Sequence, residues 1–362
     1  MADDLGVAVI GFGLAGRVFH APFVRAVPGL RLEAIVQRSG DEAAEAYPFA
    51  ATGVRVLRSV EEALADAAIQ MVVVATPNET HFDLAKQALS AGKHVVVDKP
   101  FAGTSAEARE LIELAAAMGK VLAPFHNRRW DGDFLTVKKI LAGESLGRVV
   151  TFESHFDRFR PVQRAGTWKE RSSPANGLLM DLGPHLVDQA LALFGMPKSI
   201  AASVRRDRDV TSIEDAFDIT LAYERLQVYC RSTLLAAENA PRFLIHGTRG
   251  SFRKWGLDPQ EPALVGGARV PRMGDAGEWL PEEESAWGET AIAPDANAPE
   301  TLVRTRVRTE PGDYRGFYAN VRDAVLGMAG LEVTGEDGFR VVKLLEMARE
   351  SSREREQLMV EI

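Results

Sequence analysis

The first sixteen residues constrain this chain more than any other stretch. Leu5-Gly-Val-Ala-Val-Ile10 is an apolar run of strand length, and Gly11-Phe12-Gly13-Leu14-Ala15-Gly16 follows at once. Glycines at G-x-G-x-x-G spacing have separate uses. Gly11 allows a tight turn, Gly13 lets the backbone approach a pyrophosphate, and Gly16 lets the next helix pack close. The N–H groups that open that helix then face phosphate. Alone the motif is weak, because glycine-rich turns are common. Between a strand and a helix it implies a dinucleotide site.

The second strand, Leu30 to Val36, ends at Gln37-Arg38-Ser39-Gly40. A site for NAD usually places Asp or Glu here, on the ribose 2′-hydroxyl. This chain has a cation and a hydroxyl instead. Arg38 can pair with a 2′-phosphate and Ser39 can hydrogen-bond it, so the residues favour NADP(H). Asp41 and Glu42 come later, where they suit the start of the next helix.

Strands and helices then alternate. A weak strand at 54–57 and a short helix at 60–66 precede a strong strand, Gln70 to Thr76, that ends at Thr76-Pro77-Asn78-Glu79-Thr80-His81. Pro77 and Asn78 make a turn, and Thr80 is the expected cap of a helix through Leu89. Three valines, Val95 to Val97, form the next strand, which ends on Asp98-Lys99-Pro100. A helix at 105–118 and a strand at 121–123 follow. This rhythm predicts a Rossmann doubly wound parallel sheet, an α/β unit whose ligand crevice lies at the carboxyl ends of the strands. Lys99 sits at that edge, and Pro100 fixes the backbone that aims it. A lone lysine at a strand end is ordinarily solvated; the shared edge with the glycine loop argues for a ligand role.

At 362 residues the chain is too long for one ordinary core, so two domains are expected, 1–124 and 125–362. A net charge of −8 argues against sequence-independent nucleic-acid binding. One cysteine, Cys230, excludes an internal disulfide and a cysteine-based zinc site, and its apolar neighbours suit a buried strand thiol. No apolar run reaches membrane-spanning length, and the N-terminus lacks a signal-like segment, so the expected location is the cytoplasm.

After Pro124 the pattern changes. Phe125-His126-Asn127-Arg128-Arg129-Trp130-Asp131 is dense in side chains that bind polyols or phosphates. A helix at 134–141 leads to a strand at 149–159 carrying His155, Asp157 and Arg158, with Arg160, Trp168 and Lys169 beyond it. Alternating runs at 200–205, 217–223, 227–235 and 243–246 predict an α+β domain with an open, mostly antiparallel sheet. Gly256 to Pro299 has little periodicity and reads as a long surface excursion. Helices at 314–326 and 335–351 close the chain.

Between these strands, Asp181 and His185 lie four residues apart, one turn from each other on a helical face. A carboxylate there can orient the imidazole and stabilise its charged form, as acid–base catalysis requires. Asp188, one turn on, is placed to support His185. Pro184 suits a first helical turn and kinks an interior. A capped helix with a partly buried histidine fits the segment equally well, while a metal pair is disfavoured because no third ligand follows at regular spacing.

Three features together resemble the glucose-fructose oxidoreductase/inositol dehydrogenase/rhizopine catabolism (Gfo/Idh/MocA) family. They are the glycine loop with Phe19-His20-Ala-Pro22, the stretch Ala91-Gly-Lys-His-Val-Val-Val-Asp-Lys-Pro100, and Asp181-x-x-x-His185. The stretches His126 to Asp131, Glu153 to Pro161 and Asp181 to Gln189 are similar to NADP-dependent scyllo-inositol dehydrogenase-like members. The resemblance covers essentially the whole chain. It implies a homodimer or homotetramer through the open sheet, and it puts the family's catalytic lysine, aspartate and histidine on Lys99, Asp181 and His185. The family motif is commonly Glu-Lys-Pro; Asp98 is one methylene shorter.

On residues and resemblance together, the cofactor is expected against Gly11, Phe12, Gly13, Leu14, Ala15, Gly16, Arg38 and Ser39. Further along the edge it is expected against Thr76, Pro77, Asn78, His81, Asp98, Lys99, Pro100, Asn127 and Arg128. Substrate hydroxyls are expected at Lys99, Arg128, Asp157, Arg160, Trp168, Asp181 and His185. The implied activity is hydride transfer between NADP(H) and a secondary hydroxyl or carbonyl of a cyclic polyol or sugar, best matched by scyllo-inositol and its 2-keto form. Two other classes compete: a nicotinamide-binding sensor without turnover, and a glycoside hydrolase that retains its cofactor.

Overall fold

β1 (Leu5–Ile10) is buried along five of its six residues because a parallel strand flanks it on each side. Those neighbours are β2 (Leu30–Val36) and β4 (Met71–Val74); β3 (Arg55–Leu57), β5 (His94–Val97) and β6 (Leu122–Pro124) complete a six-stranded sheet. Its order is β3-β2-β1-β4-β5-β6, parallel throughout. Strands covered on both faces are apolar on both, which is why Met71–Val74 and Val95–Val97 carry no polar alternation. The computed structural model describes residues 4–39, 53–163, 170, 173, 175–275, 277–295 and 297–361.

The helices His81–Ser90 and Ser105–Met118 bring Ala85, Ala88, Leu89, Ala108, Leu111 and Ala115 into one core with Val72, Val74, Val95 and Val97. Ser105–Met118 is well delimited. Thr104 and Glu107 make a reciprocal capping box at its start, and Gly119 ends it in the left-handed region at φ 60°.

The helix expected after the glycine loop opens irregularly. Gly16–His20 is π-helical and Ala21–Ala26 is α-helical, with the Ala21 N–H donating to the Gly16 carbonyl. Pro22 lacks an N–H and its ring crowds the carbonyl four residues back, so a widened turn accommodates it. The wide turn carries His20, which is fully buried.

Two compact units account for the chain: 1–127 with 261–277 and 314–342, and 128–260 with 278–313 and 343–362. In the first unit the later segments pack beside the sheet. Arg315 donates to the Pro271 and Arg272 carbonyls, and Phe317 and Tyr318 meet Phe125.

The second unit is built on nine strands. They are β7 (Val149–His155), β8 (Ser199–Arg205), β9 (Ala216–Ala222), β10 (Gln227–Thr233), β11 (Phe243–Gly247), β12 (Gly250–Lys254), β13 (Gly288–Ile292), β14 (Val303–Val307) and β15 (Leu358–Met359). The order is β14-β13-β12-β11-β7-β10-β9-β8-β15; only β7 and β10 pair in parallel. Phe152, Ile219, Val228, Cys230, Ile245 and Phe252 line the buried face, and the helix Leu178–Phe194 packs on β9 and β10. Thr151, Glu153, Thr220, Tyr229 and Arg231 point to the other, half-exposed face.

Several expectations change. Gly256 to Pro299 is only in part a surface excursion: the described residues from 265 to 287 are mostly exposed, but β13 pairs on both sides within the sheet, and Asp258 and Gln260 are buried. A five-residue strand opened by glycine is too short to show a period, which is why the segment looked featureless. β12, β14 and β15 escaped notice for the same reason. The strand expected at 149–159 ends at His155, leaving only an isolated bridge from Phe159 to Leu235. Leu178–Phe194 runs on through Pro184, which cannot donate to the Met180 carbonyl. Thr80 does not cap by its side chain; its hydroxyl donates back to the Pro77 carbonyl at 2.7 Å.

Candidate functional site

Strand order in the first unit reverses between β1 and β4, and the carboxyl ends of β1, β2, β4 and β5 carry the expected cofactor residues. The glycine loop is shaped as its spacing implies. Gly11 has φ +93°, and a Cβ there would lie 2.5 Å from the Ala75 carbonyl oxygen. A Cβ on Gly16 would meet the Gly11 carbonyl at 2.1 Å, whereas one on Gly13 would meet nothing within 4 Å. The loop is therefore closed toward the sheet and open at its tip, with Gly13 and Leu14 exposed. Phe12 is buried, so it anchors the loop through its side chain and can offer a ligand only its backbone.

At the end of β2, Arg38 and Ser39 are exposed. The Gln37 side chain donates to the Ser39 carbonyl at 2.9 Å, and Arg58, just past β3, donates to the Gln37 carbonyl at 3.2 Å. The Arg58 guanidinium thus lies at the turn where a 2′-phosphate is expected, the turn that carries exposed Arg38. Arg58 went unnoticed in the sequence; strand order 3-2-1 is the signal that brings it to the Gln37 carbonyl.

At the end of β4, Thr76 and Thr80 share a 2.6 Å hydroxyl contact across Pro77 and Asn78. His81 lies beneath them. Its Nδ1 is 2.8 Å from the Pro100 carbonyl and its Nε2 is 3.0 Å from that of Thr76. Both ring nitrogens are engaged inside the protein, so His81 ties the β4 loop to the β5 loop. Burial pushes its pKa down, against the nearby Asp98 charge and the two carbonyls.

The Lys99–Pro100 peptide is cis, Pro100 is buried and Lys99 is half-exposed. Asp98 faces inward: Oδ1 accepts the Lys99 backbone N–H at 2.7 Å, and Oδ2 lies 3.6 Å from Nε2 of His20. Burial alone would raise this carboxyl. The close approach of His20, then the charges of Lys99 and His81, outweigh it and hold Asp98 at about 2. Asn127 closes the first unit's contribution as a buried side chain.

In the second unit Phe156 is the centre. Its buried ring has the guanidinium carbons of Arg128, Arg158 and Arg242 at 4.8, 5.1 and 5.7 Å from its centroid. The His185 ring stacks on it, with centroids 6.5 Å apart and planes 26° apart. Arg128 also donates to Asp131 at 3.0 Å, and Arg158 lies 3.6 Å from Asp181. Asp181 is half-exposed on the first turn of the helix, and His185 is buried one turn on. A ring ringed by cations is favoured by its quadrupole, and it fixes the plane of the imidazole. Phe156 was not among the expected residues; a buried phenylalanine has no distinguishing mark in sequence.

Asp188 has another use than the one expected. Both its oxygens accept from Arg129, at 2.9 and 2.7 Å, so it anchors that arginine rather than supporting His185. Asp157 accepts the Thr233 N–H at 3.1 Å and sits 3.7 Å from His155, and the Arg160 N–H donates to the Leu234 carbonyl at 2.7 Å. Trp168 lies outside the described residues.

Comparison with known proteins agrees with the fold. Residues 5–126 match the NAD-binding Rossmann fold of an oxidoreductase family, and residues 138–362 match that family's C-terminal alpha/beta domain. The uncharacterized oxidoreductase YdgJ of Escherichia coli is 41% identical over 362 residues, covering 98% of each chain. The scyllo-inositol 2-dehydrogenase (NADP(+)) IolW of Bacillus subtilis is 36% identical over 365 residues, covering 99% of this chain and 97% of that one. The solved structure of the YPO2259 protein from Yersinia pestis superposes with a TM-score of 0.90 at 40% identity, covering 100% of this chain and 99% of the other. With both halves matched in order, the chain belongs to the Gfo/Idh/MocA oxidoreductase family and carries its nicotinamide-dinucleotide-binding Rossmann domain.

Proposed function

We propose that this oxidoreductase uses NADP(H) to interconvert a secondary hydroxyl and carbonyl on a cyclic polyol or sugar, with scyllo-inositol and its 2-keto form as the leading pair. The observation that carries the reading is the shared carboxyl edge: an open glycine-loop tip, the Arg38-Ser39 turn after β2, and Lys99 after β5. The name of IolW, at 36% identity along nearly the whole chain, supports the substrate class.

The residues fit the cofactor. Gly11 to Gly16 would hold the pyrophosphate, Arg38 and Ser39 the 2′-phosphate, and Thr76, Pro77, Asn78, Asp98 and Pro100 the nicotinamide half. When bound, the nicotinamide supplies the hydride acceptor or donor. In the oxidising direction His185, oriented by Asp181, takes the hydroxyl proton as the hydride leaves carbon. Lys99 hydrogen-bonds the same oxygen and stabilises its developing negative charge. Arg128, Asp157, Arg160 and Trp168 are assigned to the remaining hydroxyls. The half-exposed face of the nine-stranded sheet is assigned to a homodimer or homotetramer. The buried Cys230 thiol suits a reducing compartment such as the cytoplasm.

Inositols and aldoses supplied with NADP or NAD, and followed by nicotinamide absorbance, test the reading. Net reduction of NADP with scyllo-inositol is expected. Lys99→Ala and His185→Ala should each lower kcat by roughly 10²- to 10⁴-fold. Full turnover in either variant removes its catalytic assignment. Arg38→Ala should raise the KM for NADP at least about tenfold while sparing NAD, with Arg58→Ala weaker in the same direction. An unchanged preference in both removes the cofactor assignment. Product release without net absorbance change favours the cofactor-retaining hydrolase.

A further inference from the structure

His20 belongs to a sequence motif, is fully buried, and has no part in the reaction above. Its surroundings give it one. Nδ1 lies 2.6 Å from the Tyr318 hydroxyl, and Nε2 lies 3.6 Å from Oδ2 of Asp98. The other oxygen, Oδ1, accepts the backbone N–H of Lys99 at 2.7 Å. Tyr318 is itself fully buried, and its ring, with that of Phe125, packs against the imidazole. The carboxylate next to Lys99 is thus held on one oxygen by the lysine's own backbone and faced on the other by an imidazole locked from behind.

We propose that Tyr318 and His20, both buried, are positioning residues for Lys99, acting through Asp98 at the end of β5. This rests on the reading that Lys99 meets the reacting oxygen. With a His20 Nε2 proton toward the carboxylate, the Tyr318 hydroxyl holds Nδ1 at 2.6 Å, donating to a neutral ring or accepting from an imidazolium. That contact fixes the ring, the ring faces the carboxylate, and the carboxylate fixes the backbone from which the Lys99 side chain springs. The π-helical turn brings His20 to this point, and Pro22 disfavours an ordinary α-turn there. The titratable groups facing Asp98 are His20, Lys99 and His81, and Tyr318 faces it from behind the imidazole. The low carboxyl pKa, about 2, agrees with this geometry.

The test compares His20→Leu, His20→Gln and Tyr318→Phe with the parent protein. Tyr318→Phe keeps the ring, so it stays folded if His20→Leu does not. Without substrate, the Lys99 backbone amide is followed by NMR as pH is lowered, since its shift reports ionisation of its Asp98 acceptor. Its midpoint should move upward in Tyr318→Phe and further in His20→Leu. With NADP and scyllo-inositol, His20→Leu should lower kcat about 10- to 100-fold with KM for NADP changed far less. His20→Gln, which keeps a donor toward Asp98, should recover part of the loss. An unmoved Lys99 amide midpoint in folded variants overturns the action through Asp98. A moved midpoint with parental kcat overturns its positioning role. Lys99→Ala in the same assay separates the two failures: if it turns over fully, the assignment of Lys99 has failed instead.

Discussion

Two enclosed carboxylates, half-buried Asp98 in one unit and buried Asp258 in the other, behave oppositely. Asp98 ends β5 in the nucleotide-binding unit, and Asp258 lies in the other unit at the start of the helix Gly132–Ala142. Both accept backbone N–H groups: Asp98 from Lys99 at 2.7 Å, Asp258 from Gly132 at 2.6 Å and Gln260 at 2.8 Å. Burial raises both. Yet Asp98 is held at about 2 and Asp258 is pushed up to about 6. Asp258 even has more backbone donors, so donors do not decide the sign. Neighbouring charge does: His20, Lys99 and His81 surround Asp98, while Asp133 faces Asp258. The acid beside the lysine stays ionised down to about pH 2, and the acid that caps a helix takes up its proton already near pH 6.

The sharpest way to break this contrast is the pH dependence of stability. A carboxyl raised from 3.8 to about 6 on folding favours the folded state fully below 3.8, and that contribution is lost as pH rises through 6. The span corresponds to about 3 kcal/mol. Asp258→Asn should therefore flatten the melting temperature between pH 4 and 6, where the parent protein loses stability with rising pH. Parallel curves for the two proteins mean that Asp258 does not titrate there.

Asp98 should show the reverse slope and a smaller span. Its carboxyl is depressed from 3.8 to about 2, so its contribution is present above 3.8 and lost as pH falls through 2. Asp98→Asn should remove about 2 kcal/mol at neutral pH, with the melting curves of variant and parent converging toward pH 2. A deficit that persists at pH 2 would assign the loss to packing instead of charge.

The contrast was half legible in the sequence. Asp98-Lys99-Pro100 stood out because a run of three valines ended on it, and buried parallel strands announce themselves as unbroken apolar runs. The glycine loop was legible for a similar reason: its chemistry is local. Asp181 and His185 were visible through helical spacing. What could not be read was any partnership made by the fold. His20 reaches Asp98 only when β1 and β5 sit either side of β4, and Tyr318 comes from a segment near the other end of the chain. Asp188 was given to His185 on spacing, but Arg129 approaches from another segment and engages both its oxygens. Asp258 was hidden in a stretch without periodicity. Spacing along one element shows which side chains can be neighbours, not which partner wins when other elements arrive.

The smallest expected effect bears most directly on why the two acids differ. Asp133 is fully enclosed beside Arg242, with its Oδ2 3.5 Å from that guanidinium, and its Oδ1 accepts the Phe134 N–H at 2.6 Å. Asp133→Asn removes the like charge facing Asp258 and leaves its burial and backbone donors unchanged. If neighbouring charge sets the difference between the carboxylates, the Asp258 midpoint should fall from about 6 toward the ordinary range. The slope of melting temperature against pH between 4 and 6 should then shrink by about 1 kcal/mol or less in span. Because Arg242 keeps Ser154 and Gln189 as acceptors, at 2.6 and 2.7 Å, the fold should survive the change. Pairing Asp133→Asn with Asp258→Asn isolates the interaction: once Asp258 is gone, Asp133→Asn should no longer alter the slope. An undiminished slope in the single variant would mean that burial alone raises Asp258. The charges around Asp98, together with its lesser burial, would then be the reason that the acid next to Lys99 stays ionised.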